Sequence, residues 1–141
     1  MTINELQDQV IDDFSVFDEW FDKYAMLIDL GNQLSPIDES QRVEQNLIQG
    51  CQSRVWLDAH IDGQTGHLIF EGDSDAVIVK GILSLLIRVM SDHVPSEVAN
   101  ADLYFIERIG LKEHLSPTRS NGLLAMVKQM KVYGMIFSGK A

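Results

Sequence analysis

The chain has 141 residues, 45% hydrophobic and 23% charged, which suits one ordinary domain with its own core. A formal net charge of −10 repels a nucleic-acid backbone and argues against DNA or RNA as a ligand. No apolar run approaches the roughly 20 residues that cross a bilayer, Met1–Glu5 has no secretory-signal character, and one cysteine forms neither an internal disulfide nor a metal cage. The expectation is a soluble, cytoplasmic protein without membrane partners, whose thiol stays reduced.

From Ile3, apolar residues recur at Leu6, Val10, Phe14, Phe17, Phe21, Tyr24 and Ile28. This spacing predicts an amphipathic helical segment, broken near Phe14 and stopped at Gly31. Residues 32–50 contain Pro36 and no periodicity, so they predict a loop with at most a helical turn near Glu39. A loop this long is often functional, and this one ends at Gly50-Cys51. Residues 53–61 alternate, with Val55, Leu57, Ala59 and Ile61 on one face. Turn signals at Asp62-Gly63 and Gly66 lead into 67–71, which returns with Leu68 and Phe70, so a β-hairpin 53–61/67–71 is predicted. Gly72-Asp73-Ser74-Asp75 reads as a turn that caps a helix over 76–90, apolar except for a strip at Lys80, Ser84 and Arg88. Pro95 opens a short helix, 102–109 forms another ended by Gly110, and Ser116-Pro117 opens a last helix toward Tyr133. The fold class is α+β in a single domain, 1–141: a small antiparallel sheet, the hairpin plus one short strand, packed against several helices.

Charge is unevenly distributed. Residues 1–75 carry 16 acids and 3 bases, net −13, and residues 76–141 carry 5 acids and 8 bases, net +3. This fits either a solvated acidic face or a partner-docking field.

Four constellations could carry chemistry. A Cys51–histidine dyad is poorly placed, because His60 lies at the far end of a strand, roughly 30 Å away at about 3.3 Å per residue. His67 is equally remote, leaving only His93 and His114, each at a helix end with nothing to orient it. His60 and His67 could face each other across the hairpin, yet two imidazoles fall short of a usual metal set, and no metal is expected. Gly72–Ala76 has the position of a nucleophile elbow but lacks its second glycine. The fourth is Cys51 as a sulfur carrier: it follows a glycine, and no second thiol is available to expel an extra sulfur. By spacing alone, a buried inert cysteine, the common fate of a lone Cys, stands slightly ahead.

The segment Asn46-Leu47-Ile48-Gln49-Gly50-Cys51-Gln52-Ser53-Arg54-Val55-Trp56 closely resembles the sulfur-acceptor loop of the SufE family, partners of cysteine desulfurases in iron–sulfur cluster assembly. Two further blocks, Gly72 to Gly81 and Leu115 to Leu123, resemble the same family in the same order and spacing. The resemblance implies that Cys51 accepts sulfane sulfur as a persulfide from a desulfurase, stimulates that enzyme, and passes sulfur to an iron–sulfur scaffold protein. It implies a fold similar to those scaffolds and no cofactor here, the pyridoxal phosphate belonging to the desulfurase. The protein is then not an enzyme in its own right. Gln52, Ser53, Asp73, Asp75 and Arg119 stand in the resembling blocks as expected partner-binding residues. The long loop would let Cys51 be shielded when free and extended when docked. Alternatives are an allosteric desulfurase activator that carries no sulfur, a paralogue serving another sulfur pathway, and, more distantly, a thiol-dependent hydrolase.

Overall fold

The computed structural model describes residues 1–139. Helix α1 (Ile3–Ser15) begins with a capping box: the Thr2 hydroxyl accepts from the Glu5 N–H, and the Glu5 carboxylate accepts from the Thr2 N–H. Ile3, Val10 and Phe14 face the core. The expected break is real, and α2 (Trp20–Gln33) starts a new helix after Glu19 turns extended.

Gly31 does not stop α2. The helix runs two residues further, and Gly31 is instead a contact point with α3 (Val77–Met90), the apolar helix at the centre of the molecule. A Cβ on Gly31 would stand 2.9 Å from the Gly81 nitrogen, and one on Gly81 would strike the Leu27 carbonyl. The local stop signal is overridden because the glycine serves backbone-to-backbone approach of two helices.

Strands β1 (Val55–Ile61) and β2 (Leu68–Ser74) form the antiparallel hairpin, paired from Val55↔Ser74 to Ile61↔Leu68. Val55, Leu57, Leu68 and Phe70 are buried, as the alternation requires. β2 runs three residues beyond the predicted end, because Gly72, Asp73 and Ser74 continue the ladder opposite Leu57, Trp56 and Val55. The one short strand expected beside the hairpin is absent among the described residues, which add only the isolated bridges Leu47↔Trp56 and Leu68↔His93.

Pro95 opens α4 (Pro95–Ala99). The helix predicted over 102–109 is reduced to α5 (Phe105–Arg108). The reason is the buried Gln7 of α1: its side chain donates to the Asp102 carbonyl (2.9 Å) and accepts from the Phe105 N–H (3.1 Å), holding the intervening backbone out of helix. A one-turn helix α6 (Leu111–His114) follows, unforeseen by periodicity. Helix α7 (Pro117–Phe137) begins where Ser116-Pro117 predicts, with the Ser116 hydroxyl accepting from the Arg119 N–H at 3.3 Å, and outruns its predicted end at Tyr133. The architecture is α+β, with α3 between the hairpin, α2 and α7. No helix among the described residues is long and apolar enough to cross a membrane.

Candidate functional site

The thiol sits on a short loop inside the long one. Ile48 donates its N–H to the Val55 carbonyl at 2.9 Å, closing residues 49–54 into a loop of their own. Its far base is held by Asp75, whose carboxylate accepts from the Arg54 N–H (3.1 Å), and by Ser74, whose hydroxyl donates to the Arg54 carbonyl (2.8 Å). Gly50 takes φ +92°, a left-handed conformation suited to glycine, and turns the chain so that Cys51 faces inward.

The preceding stretch is less free than its composition suggests. Two 3₁₀ turns, Glu39–Gln41 and Glu44–Asn46, order it, and Ile37 and Ile48 bury their side chains. Between the turns, Arg42 lies over the Trp56 ring and makes an ion pair with Asp73. Chain available for extension therefore narrows from the predicted 32–50 to the residues around Cys51. From Ile48, three residues reach about 10 Å when fully extended.

Cys51 is half-buried in a cleft of about 20 Å³ lined by Gln52, Ser53, Val79, Thr118, Arg119 and Gly122. That is room for about one water-sized guest. The thiol donates weakly to the Gly122 carbonyl at 3.7 Å. Burial pushes the thiol pKa up, so at rest the group is held in its protonated, unreactive form. Val79 comes from the first turn of α3, and Thr118 and Arg119 from the first turn of α7. The cleft thus lies beside the positive ends of two helices.

Of the residues expected to bind a partner, Gln52, Ser53 and Arg119 share this cleft with Cys51. The Arg119 side chain is exposed and makes no ion pair among the described residues. Asp75 anchors the loop base. Asp73 departs from the expectation. It is 4% exposed, and its carboxylate accepts from Arg42, Lys80 (3.3 Å) and the Ser74 N–H (2.8 Å), so its oxygens are engaged by partners within the chain. Burial alone would raise its pKa, but the hydrogen bonds from Arg42, Ser74 and Lys80 prevail and hold it below the usual aspartate value. Sequence reasoning missed the roles of Arg42, Val79, Thr118 and Gly122. The last three stood inside the resembling blocks, and Arg42 is one of only 3 bases among residues 1–75.

No histidine lines the cleft. His93 is at the opposite end of α3, and His114 stacks on Trp20. His60 and His67 do not pair: His67 meets Asp92 at 2.9 Å, while His60 lies beside Asp58 (3.2 Å) and Glu71 (3.9 Å) on the open hairpin face. Those last three side chains bring possible ligand atoms within 4.8 Å of one another, partly or fully exposed. Ser74, the serine of the supposed elbow, is spent on the Arg54 carbonyl.

This geometry can be set beside known proteins. Residues 8–133 match the family model "SufE: Fe-S metabolism associated domain", a span that includes Cys51 and every residue of its cleft. The chain belongs to the SufE family. An "uncharacterized SufE-like protein" of Rhizobium meliloti (strain 1021) is 43% identical over 127 residues, covering 88% of this chain and 91% of the relative. Another, from Rhizobium etli, is 44% identical over 127 residues, covering 88% and 86%. Among solved structures, the solution structure of a hypothetical protein from Thermus thermophilus matches with a TM-score of 0.77. It covers 95% of this chain and 96% of that one at 20% identity, a likeness of fold. Membership of the SufE family connects the chain with iron–sulfur metabolism.

Proposed function

We propose that this SufE-family chain is a sulfur carrier. Cys51 accepts sulfane sulfur as a persulfide from a cysteine desulfurase, the chain stimulates that enzyme, and the sulfur passes to an iron–sulfur scaffold protein. The observation that carries this reading is the sole thiol held in an atom-sized cleft with no histidine base beside it. Such a site is ill suited to hydrolysis, which needs a bound substrate and proton transfer, and well suited to receiving one small atom.

The exchange balances without an outside oxidant. The Cys51 thiolate attacks the outer sulfur of the donor persulfide; a new Sγ–S bond forms as the donor's S–S bond breaks, and the donor cysteine leaves as thiolate. Docking draws Cys51 out of the cleft, away from the burial in this chain that keeps it protonated. The pyridoxal phosphate that frees sulfur from cysteine resides in the desulfurase, and this chain supplies the thiol and the docking surface.

Intact-mass spectrometry after incubation with desulfurase, pyridoxal phosphate and cysteine tests the reading. The expected gain is one or more sulfur atoms, removable by reductant and mapped to the Cys51 peptide, with none on Cys51→Ser. No gain while the desulfurase turns over overturns the carrier reading. Full stimulation by Cys51→Ser would instead mark an activator that carries no sulfur.

A further inference from the structure

Gly122 lies in the second turn of α7, a position where glycine is less favourable than alanine. Glycines elsewhere in the helical core have a packing reason. In the same helix, a Cβ on Gly134 would stand 2.7 Å from the Ala99 nitrogen and 2.9 Å from the Pro95 carbonyl oxygen. Gly122 has no such reason. A Cβ there would meet one atom within 4 Å, Cys51 Sγ at 3.5 Å, an ordinary van der Waals distance. Its φ is not in the left-handed region, and no turn begins there. The resting thiol form would therefore accept alanine, and helix propensity would favour it.

The persulfide would not. A second sulfur bonded to Sγ extends the side chain by about 2.0 Å, into a cleft of about 20 Å³ that Gly122 helps to line. A methyl group at position 122 would project into that same small space from 3.5 Å away.

We infer that Gly122 is a positioning residue for sulfur storage: its missing side chain is the space that shelters the outer sulfur of the Cys51 persulfide. This rests on the carrier reading and assigns the residue that makes the cleft fit the loaded form and not just the empty one. The neighbouring Gly122 carbonyl, 3.7 Å from Sγ, stays in place whatever side chain is present, so the effect of substitution is one of volume.

The test compares the parent chain with Gly122→Ala. Each is loaded in two ways: by desulfurase with cysteine, and by inorganic polysulfide, in which the Cys51 thiolate takes a sulfane sulfur and the shortened polysulfide leaves. Persulfide is followed by intact mass, and its lifetime is measured against cyanide, which removes sulfane sulfur as thiocyanate. The alanine variant is expected to melt at the same temperature or higher, and its persulfide to decay at least fivefold faster or fail to accumulate by either route. Equal lifetimes in parent and variant overturn the inference, as does a lowered melting temperature, which would make Gly122 a packing glycine. Parent chain that loads from polysulfide but not from a turning-over desulfurase overturns the carrier reading instead, and the lifetime comparison still decides Gly122.

Discussion

Asp73 and Arg42 show how single residues set the state of the site. The aspartate is buried yet ionised, because two cations and a backbone N–H face it from three segments: the loop before Cys51, the strand end and α3. Charge-assisted hydrogen bonds of this kind contribute about 1.5–3 kcal/mol. Asp73→Asn keeps the shape and removes the charge, so it should lower stability by about 1–3 kcal/mol at pH 7 in urea melts. The pH dependence has a definite sign. A carboxylate with a depressed folded-state pKa stabilises above its unfolded value, about 3.9, and loses that contribution as pH falls through the folded value. The gap between parent and Asp73→Asn should be full at pH 7 and shrink below about pH 4. No gap at pH 7 would mean that shape, and not charge, holds the loop.

At the scale of elements, the site depends on how closely α2 and α3 cross. Val79 forms one wall of the cleft, and Gly81, two residues on, sits against the Leu27 carbonyl. A methyl group at 81 has nowhere to go except by parting the helices. Overpacking of a core typically costs about 1–3 kcal/mol and sometimes more. Gly81→Ala meets backbone and not a pliable side chain, so about 3 kcal/mol or more is expected by chemical denaturation. A loss under about 1 kcal/mol would show that α2 can slide without penalty. The helix α7 contributes differently. Its N-terminal turns carry Thr118, Arg119 and Gly122 to the thiol, while its later turns pack on α4 through Gly134.

Across the whole molecule, the acidic first half and the mildly basic second half meet at the cleft, where Cys51 comes from one and Arg119 from the other. Arg119 stands at the positive end of α7, where a cation is unfavourable by about 0.3–1 kcal/mol when exposed, and it makes no ion pair among the described residues. Its placement is understandable if the guanidinium's partner is on another protein. Arg119→Ala should weaken desulfurase stimulation several-fold, while leaving the melting temperature unchanged or slightly raised. Arg119→Lys should recover little, because a point charge does not replace a planar fork. Normal stimulation by Arg119→Ala would remove this side chain from the docking surface.

What the sequence determined by itself was whatever is encoded locally: the alternation of the hairpin, the apolar α3, the cap at Ser116-Pro117, and the singularity of Cys51. The resembling blocks added the family and most of the cleft's residues. Where the outcome lay with a distant partner, local signals misled. Gly31 has the chemistry of a helix stop, but α3 claims it for close approach. Gly72-Asp73-Ser74 has the chemistry of a turn, but β1, Arg42 and Lys80 supply better partners for its backbone and carboxylate. Residues 102–104 were predicted as helix, but Gln7, nearly a hundred residues earlier, binds the backbone of that stretch. The inward turn of Cys51 is of the same kind. A loop's composition, Gly50 included, says that it can bend, whereas the cleft that receives the thiol is walled by Val79 and Gly122, which only the folded chain brings to it.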